Sequence, residues 1–174
     1  SEKSIIYSFG IGEDITFDTE IINQHGCPVY GFDPTPKSIN WISNQKLPVQ
    51  FTFCPFGIDS VSGDVKFFLL KNKEHVSGSA IQNKNIDSES YINVKMKSFE
   101  DIVKGLNHSK IDVLKMDIEG SEYKLLPHIL NSKIEIGQIL IEFHHRMIEG
   151  GKELTTNAIK LLNDSGYEIF AVSE

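Results

Sequence analysis

Short apolar runs of strand length alternate with stretches of helical periodicity along most of the chain, and this rhythm constrains the fold more than any other feature. Residues 4–9 (S-I-I-Y-S-F) read as a strand, and within 14–24 the positions Ile15, Phe17, Ile21 and Ile22 suit a helix packed by one face. Gly26 stands beyond it as a stop signal. Residues 28–32 give a second strand, 37–44 a short helix and 49–54 a third strand. The rhythm then changes: 64–70 and 91–97 read as strands with no helix between them. The stretch 71–90 that joins them is rich in Asn, Ser, Lys and Gly, and is expected to be a mobile loop.

Alternation resumes at Ser98, which can cap a helix with Asp101 in the capping-box position. A strand at 111–116, a helix at 121–131, a strand at 138–143, a helix at 155–163 and a last strand at 167–172 complete the chain. Repeated β-α units predict a single α/β domain over 1–174. The expected architecture is a doubly wound, mostly parallel Rossmann-like sheet with helices on both faces, carrying a β insertion and loop at about 60–97.

Composition narrows the partners. Hydrophobic residues make up 40% and charged residues 24%, which suits a folded domain rather than a disordered chain. The net charge is −7 and no Lys/Arg block occurs, so no nucleic-acid partner is expected. The apolar runs are too short to span a bilayer, and no targeting segment is read at the start. Cys27 and Cys54 lie far apart without histidines at metal spacing, so buried thiols are expected rather than a zinc site or a disulfide. Trp41 sits in a helical pattern and is expected to pack.

Residues 111–122 read I-D-V-L-K-M-D-I-E-G-S-E. An apolar strand stops abruptly at Asp117, Glu119 and Glu122, delivering carboxylates to the sheet edge where ligands of such folds sit. So many acids repel one another unless a cation, a donor-rich ligand or a shared proton offsets the charge. Asp117, at the strand tip, is the chemical candidate; Glu119, Ser121 and Glu122 can instead merely decorate the first helical turn.

The first strand-to-helix turn is F-G-I-G-E-D. Gly10 reaches dihedrals closed to other residues, and Gly12 admits a ligand close to the backbone. Asp33, about 20 residues on at the tip of the next strand, can accept both ribose hydroxyls of a nucleoside. Ile15 stands where the dinucleotide fingerprint needs its third glycine. Glu13 and Asp14 occupy the helix start, where they would repel a pyrophosphate and welcome a sulfonium or ammonium. That balance favours S-adenosylmethionine over NAD. Gly57 and Ile58 can pass under an adenine ring, with Asp59 accepting from its amine, or form a plain turn.

The strand at 138–143 ends I-E-F-H-H-R, with Glu142 and His144 two apart and so on one side. His144 is suited to taking a proton from an acceptor hydroxyl near neutral pH. Glu142 can orient it, pair with Lys115, or join Asp117 and Glu119 around a metal ion.

The blocks L-K-M-D-I-E-G-S-E-Y-K-L-L at 114–126 and I-L-I-E-F-H at 139–144 resemble the hallmark of the FkbM-type methyltransferase family. The opening Y-S-F-G-I-G-E-D-I-T-F-D at 7–18 is similar to the animal methyltransferase-like branch of that family, and V-K-M-K-S-F-E-D-I at 94–102 also matches. The resemblance implies a class I fold and transfer of a methyl group from S-adenosylmethionine to oxygen, often on sugars or secondary metabolites. It places Gly10 and Gly12 on the cofactor loop, Asp33 on the ribose and Asp117 near the methionine end. Glu119, Glu142 and His144 would face the acceptor. Two departures stand out. Ser8 occupies a position acidic in many members, which shifts contact with the cofactor's ammonium to Glu13, Asp14 or Asp117. The class usually closes its sheet with a seventh, antiparallel strand, which is not read within residues 1–174: either the protein is longer or the sheet edge is rearranged.

The expected activity is S-adenosylmethionine-dependent O-methylation of a sugar or another small-molecule or glycan acceptor, neutral or rich in hydroxyls rather than phosphorylated. His144 would take the proton, while Asp117 and Glu119 position the hydroxyl or, with Glu142, hold a divalent metal. The alternatives are an NAD-dependent oxidoreductase and a non-catalytic cofactor-binding module of the same fold.

Overall fold

Residues 1–70 and 86–173 are described in a computed structural model of the chain. Five parallel strands form the main sheet: β1 (Ile6–Phe9), β2 (Val29–Phe32), β3 (Phe51–Cys54), β7 (Lys110–Met116) and β8 (Glu135–Ile141), in the spatial order β3-β2-β1-β7-β8. A second sheet of three strands, β4 (Gly57–Ile58), β5 (Gly63–Leu70) and β6 (Ile86–Lys97), has the order β4-β6-β5. The helices are α1 (Thr16–His25), α2 (Pro36–Ser43), α3 (Phe99–Gly105), α4 (Glu122–Asn131) and α5 (Gly151–Asp164).

Strand alternation divides the core. Ile6, Val29 and Phe51 stand level on neighbouring strands and pack with Ile22 of α1 and Ile42 of α2. Tyr7, Phe9, Phe32, Leu114 and Met116 point to the opposite face, where they meet Phe99, Ile102 and Val103 of α3 and Leu125 and Ile129 of α4. A sheet buried on both faces explains why all four residues of β1 are inaccessible. Trp41 packs against the α1/α2 layer, and Cys27 and Cys54 are buried free thiols.

Local signals set the helix ends. Gly26 adopts a left-handed φ of 65° and closes α1 through its N–H to the Ile22 carbonyl. Thr35 caps α2 by accepting from Ser38 N–H, with Pro36 at the first helical position. Ser98 caps α3 by accepting from the Asp101 N–H.

Three expectations need correcting. No strand forms at 167–172: Tyr167 is anchored by its hydroxyl, which donates to the Ile136 carbonyl, while Ile169, Phe170 and Val172 are exposed. Apolar composition suits a strand there, but no described neighbour supplies ladder hydrogen bonds. The predicted loop over 71–90 is overturned at its far end, where β6 begins at Ile86 and pairs antiparallel with β5; the remainder, 71–85, lies outside the described residues. Finally, β8 ends at Ile141, so Glu142 and His144 stand just beyond the strand. The Glu142 N–H still donates to the Met116 carbonyl, which carries the register one residue further.

Candidate active site

The connections after β1 and β7 leave toward opposite faces of the sheet, and at such a point the loops part to form a cleft. Gly10 and Asp117 hold its base. Gly10 has a φ of 79°, and a Cβ there would lie 1.7 Å from the Asp117 carbonyl oxygen. Only glycine permits that approach. The cleft has a volume of about 290 Å³.

One half of the cleft is walled by Phe9 and Phe32, whose rings stack with centroids 4.4 Å apart, and by Gly57, Ile58 and Met96. Gly57 is held close, since a Cβ would come within 2.7 Å of the Met96 sulfur. Asp33 is buried in the same wall. Its Oδ1 accepts from Thr35 N–H (2.9 Å) and from Thr35 Oγ1–H (2.6 Å), while Oδ2 accepts from Gly12 N–H at 3.0 Å. A carboxylate oxygen offers two acceptor positions, so Oδ1 is filled and Oδ2 keeps one open. Asp33 therefore keeps one acceptor position open toward the cleft.

Glu13 and Asp14 line the cleft mouth but are already engaged. Lys37 Nζ stands 2.5 Å from Glu13, and Asp14 Oδ1 accepts from Thr16 N–H and its hydroxyl. Those Thr16 bonds hold the Asp14 carboxyl below its usual range. Asp59 does not reach the cleft: its carboxylate takes Lys124 Nζ at 2.5 Å and Ser60 N–H at 2.6 Å, tying β4 to α4. The role of an adenine-amine acceptor is thereby withdrawn from it.

The other half of the cleft gathers charge. Glu122, wholly buried at the start of α4, accepts from Ile118 N–H at 2.9 Å with the same Oε1 that lies 3.0 Å from His144 Nδ1. The opposite ring nitrogen, Nε2, faces Asp117 Oδ1 at 3.6 Å and Glu119 Oε2 at 3.8 Å. One oxygen each of Asp117 and Glu142 and one nitrogen of His144 all lie within 4.8 Å of one another. Lys115, expected opposite Glu142, instead stands 3.8 Å from Asp117 Oδ2. Glu119 takes a left-handed φ of 54°, which costs a non-glycine residue about 1–2 kcal/mol. Strain of this kind collects where a side chain must be aimed.

These neighbours shift the titrations. The hydrogen bond to Glu122, with the fields of Glu122, Glu119 and Asp117, outweighs burial and pushes the His144 imidazole up to about 9. Burial, reinforced by Glu142 and Glu122, raises the Asp117 carboxyl despite Lys115 and His144. At neutral pH His144 thus keeps its own proton, and it becomes a free base only as the pH approaches 9.

The model of the methyltransferase FkbM domain matches residues 4–169. The chain belongs to the FkbM methyltransferase family. Among curated relatives, the probable methyltransferase-like protein 24 of Homo sapiens is 28% identical over 141 residues, covering 80% of this chain and 32% of that protein. Its counterpart from Rattus norvegicus is 28% identical over 142 residues, with the same coverage. The hexuronic acid methyltransferase AglP of Haloferax volcanii is 24% identical over 141 residues, 76% of this chain and 56% of that protein. The chain thus spans about a third of the animal proteins and just over half of the archaeal one. No solved structure matches it significantly. Membership in the FkbM family implies methyl transfer from S-adenosylmethionine, and the parallel sheet and cleft are of the corresponding α/β type. No described helix is long and apolar enough to cross a membrane.

Of the residues singled out in the sequence, Gly10, Gly12, Glu13, Asp14, Asp33, Gly57, Ile58, Asp117 and Glu119 line one cleft, with His144 and Glu142 beside it. Glu122 was legible only as one acid among several. Its partnership with His144 joins residues distant in sequence, and no local spacing announces it. Thr35, Met96 and the Phe9–Phe32 pair were likewise missed as cleft residues, because each reads first as a cap or as core.

Proposed function

We propose that this chain is the catalytic domain of an S-adenosylmethionine-dependent O-methyltransferase acting on a hydroxyl of a sugar or another small hydroxylated acceptor. The observation that carries this reading is the division of the cleft. One end offers an aromatic wall and the open acceptor position of Asp33, and the other gathers Asp117, Glu119, Glu142 and His144. Bound there, S-adenosylmethionine would supply an electrophilic methyl on a cationic sulfur.

The residues divide the work accordingly. The Gly10–Gly12 loop brings backbone close to the nucleoside, Asp33 takes a ribose hydroxyl, and Gly57, Ile58 and Met96 border the base. Asp117, at the tip of β7, lies where a positive group is best accommodated. Glu119 and Glu142 orient the acceptor hydroxyl, and holding two reactants in line supplies much of the rate. At neutral pH the carboxylates are the members of this group ready to accept the hydroxyl's proton, because His144 is still protonated. A sugar acceptor is favoured by this carboxylate-rich mouth, since carboxylates bind vicinal hydroxyls well; the archaeal relative is also named for a sugar, though the acid group of a hexuronic acid would be repelled by these carboxylates.

The test is calorimetric titration with S-adenosylhomocysteine and with NAD, followed by a mass screen of monosaccharides for one added methylene. Saturable binding of the homocysteine compound, weakened by Asp33→Ala, is expected. Binding of NAD alone would sink the reading, and cofactor binding without any methylated product would favour a non-catalytic module.

A further inference from the structure

We propose that Asp117, Glu142 and Nε2 of His144 form a binding site for one divalent cation of the Mn²⁺ or Zn²⁺ kind, with Glu122 as the orienting carboxylate behind the histidine. The inference deepens the methyl-transfer reading and rests on it for its role, though not for its test.

The tautomer is the first argument. A carboxylate accepts and cannot donate, so the 3.0 Å contact with Glu122 fixes the proton on His144 Nδ1 in the neutral ring. The Nε2 lone pair is thereby turned toward Asp117 and Glu119, at 3.6 Å and 3.8 Å. This is how ligating histidines are held, with the far nitrogen on a carboxylate. Distances are the second. Ligands bonded at about 2.1 Å lie about 3.0 Å apart at right angles and about 4.2 Å apart across an ion. The Nε2 to Asp117 distance falls between those limits. Glu142 is exposed and already offers an oxygen within 4.8 Å of the other two ligand atoms, so a change of rotamer completes the set.

Charge is the third. Asp117, Glu119, Glu122 and Glu142 surround one imidazole, with Lys115 Nζ 3.8 Å from Asp117 Oδ2. Glu122 is 0% exposed, and its Oε2 has no hydrogen-bond partner among the described residues. A buried, half-satisfied carboxylate is costly unless a positive charge stands close by. Without an ion the protonated imidazole supplies that charge, and an ion bound at Nε2 would take its place as the Nε2 proton leaves. One nitrogen and two oxygens suit a borderline cation better than Ca²⁺, which prefers an all-oxygen shell.

With three protein ligands the ion keeps positions for the acceptor. A hydroxyl oxygen bound there loses its proton more easily. The O–H bond breaks, its electron pair stays on the metal-bound oxygen, and the proton passes to the Glu119 carboxylate, whose Oε2 stands 3.8 Å from His144 Nε2.

The test uses the 174-residue chain after chelator treatment, titrated with Mn²⁺ alone and followed by the loss of the free-ion paramagnetic resonance signal. One ion should bind in the micromolar range. Glu142→Gln and His144→Ala should each weaken it at least about tenfold, and Glu122→Gln by about 10–100-fold. The exposed Glu142→Gln change should leave the thermal midpoint unmoved, which keeps the result readable should a buried variant misfold. Absence of saturable binding below millimolar Mn²⁺, or wild-type affinity in Glu142→Gln and His144→Ala, overturns the site. S-Adenosylhomocysteine is titrated into the same samples. Its failure to bind would sink the methyl-transfer reading while leaving the metal result intact. One-for-one displacement of Mn²⁺ by it would assign these acids to the cofactor's ammonium and overturn the metal site.

Discussion

Gly10 and Asp117 meet backbone to backbone, the first without room for a Cβ and the second turning its carbonyl into that space. Gly10→Ala therefore adds a clash with main chain to the strain of a left-handed φ, a combined cost of roughly 3 kcal/mol. Gly12 has φ 54° but open space around its missing Cβ, so Gly12→Ala meets strain alone, about 1 kcal/mol. Scanning calorimetry should show a drop of about 6–12 °C for the first and about 2–4 °C for the second. Equal shifts would mean that the two loops are not locked together.

Asp33, proposed to take a ribose hydroxyl, also serves the fold. Asp33→Ala leaves Gly12 N–H and Thr35 N–H without their acceptor, a loss of about 1–3 kcal/mol by urea unfolding. Affinity for S-adenosylhomocysteine should fall by about tenfold or more in the same variant. A variant that lost stability but kept full affinity would remove Asp33 from the nucleoside site.

Glu122 acts through His144 and touches no reactant, so its loss should separate the kinetic constants. Glu122→Gln is expected to lower kcat by about 10–100-fold while leaving the KM for S-adenosylmethionine within about twofold. Glu149→Gln, on the exposed loop before α5, serves as the control. Parallel loss of kcat and cofactor affinity would indicate a disordered site rather than a misaimed imidazole.

Asp18 gives a pH-dependent prediction away from the chemistry. It is 1% exposed on α1, facing Ser8 and near Lys115 and Asp14, and burial raises its carboxyl against the partial offset of Ser8 and Lys115. A folded-state pKa above the unfolded value means that its contribution is fully present in acid, below the ordinary carboxyl range. That contribution is lost as the pH rises through the folded value. Asp18→Asn cannot ionise, so it should be more stable than the wild type at pH 7, with the difference vanishing below about pH 4. Urea midpoints across that range would measure it. A difference constant with pH would show that Asp18 stays ionised at little cost.

The parallel sheet was legible because buried β-α units write their period directly into the chain: Ile6, Val29 and Phe51 on one face, Tyr7 and Leu114 on the other. The acidic tip at Asp117 and Glu119 was legible for the same reason, as charge placed immediately after an apolar strand. The failures are equally physical. Residues 167–172 carry strand-like residues, yet a strand exists only by pairing, and pairing is not a local property. Asp59 looked like a ligand for adenine until Lys124, from a helix far along the chain, claimed it. Glu122 looked like helix decoration because its partner lies 22 residues away.

The stacked rings of Phe9 and Phe32 are clamped by Tyr7 on one side and Phe56 on the other. A partition so braced stands complete before any nucleoside arrives. Capture should then proceed in a single exponential whose rate climbs linearly with concentration, without a slow rearrangement. Differences among analogues would show in how quickly each escapes, not in how quickly it is caught.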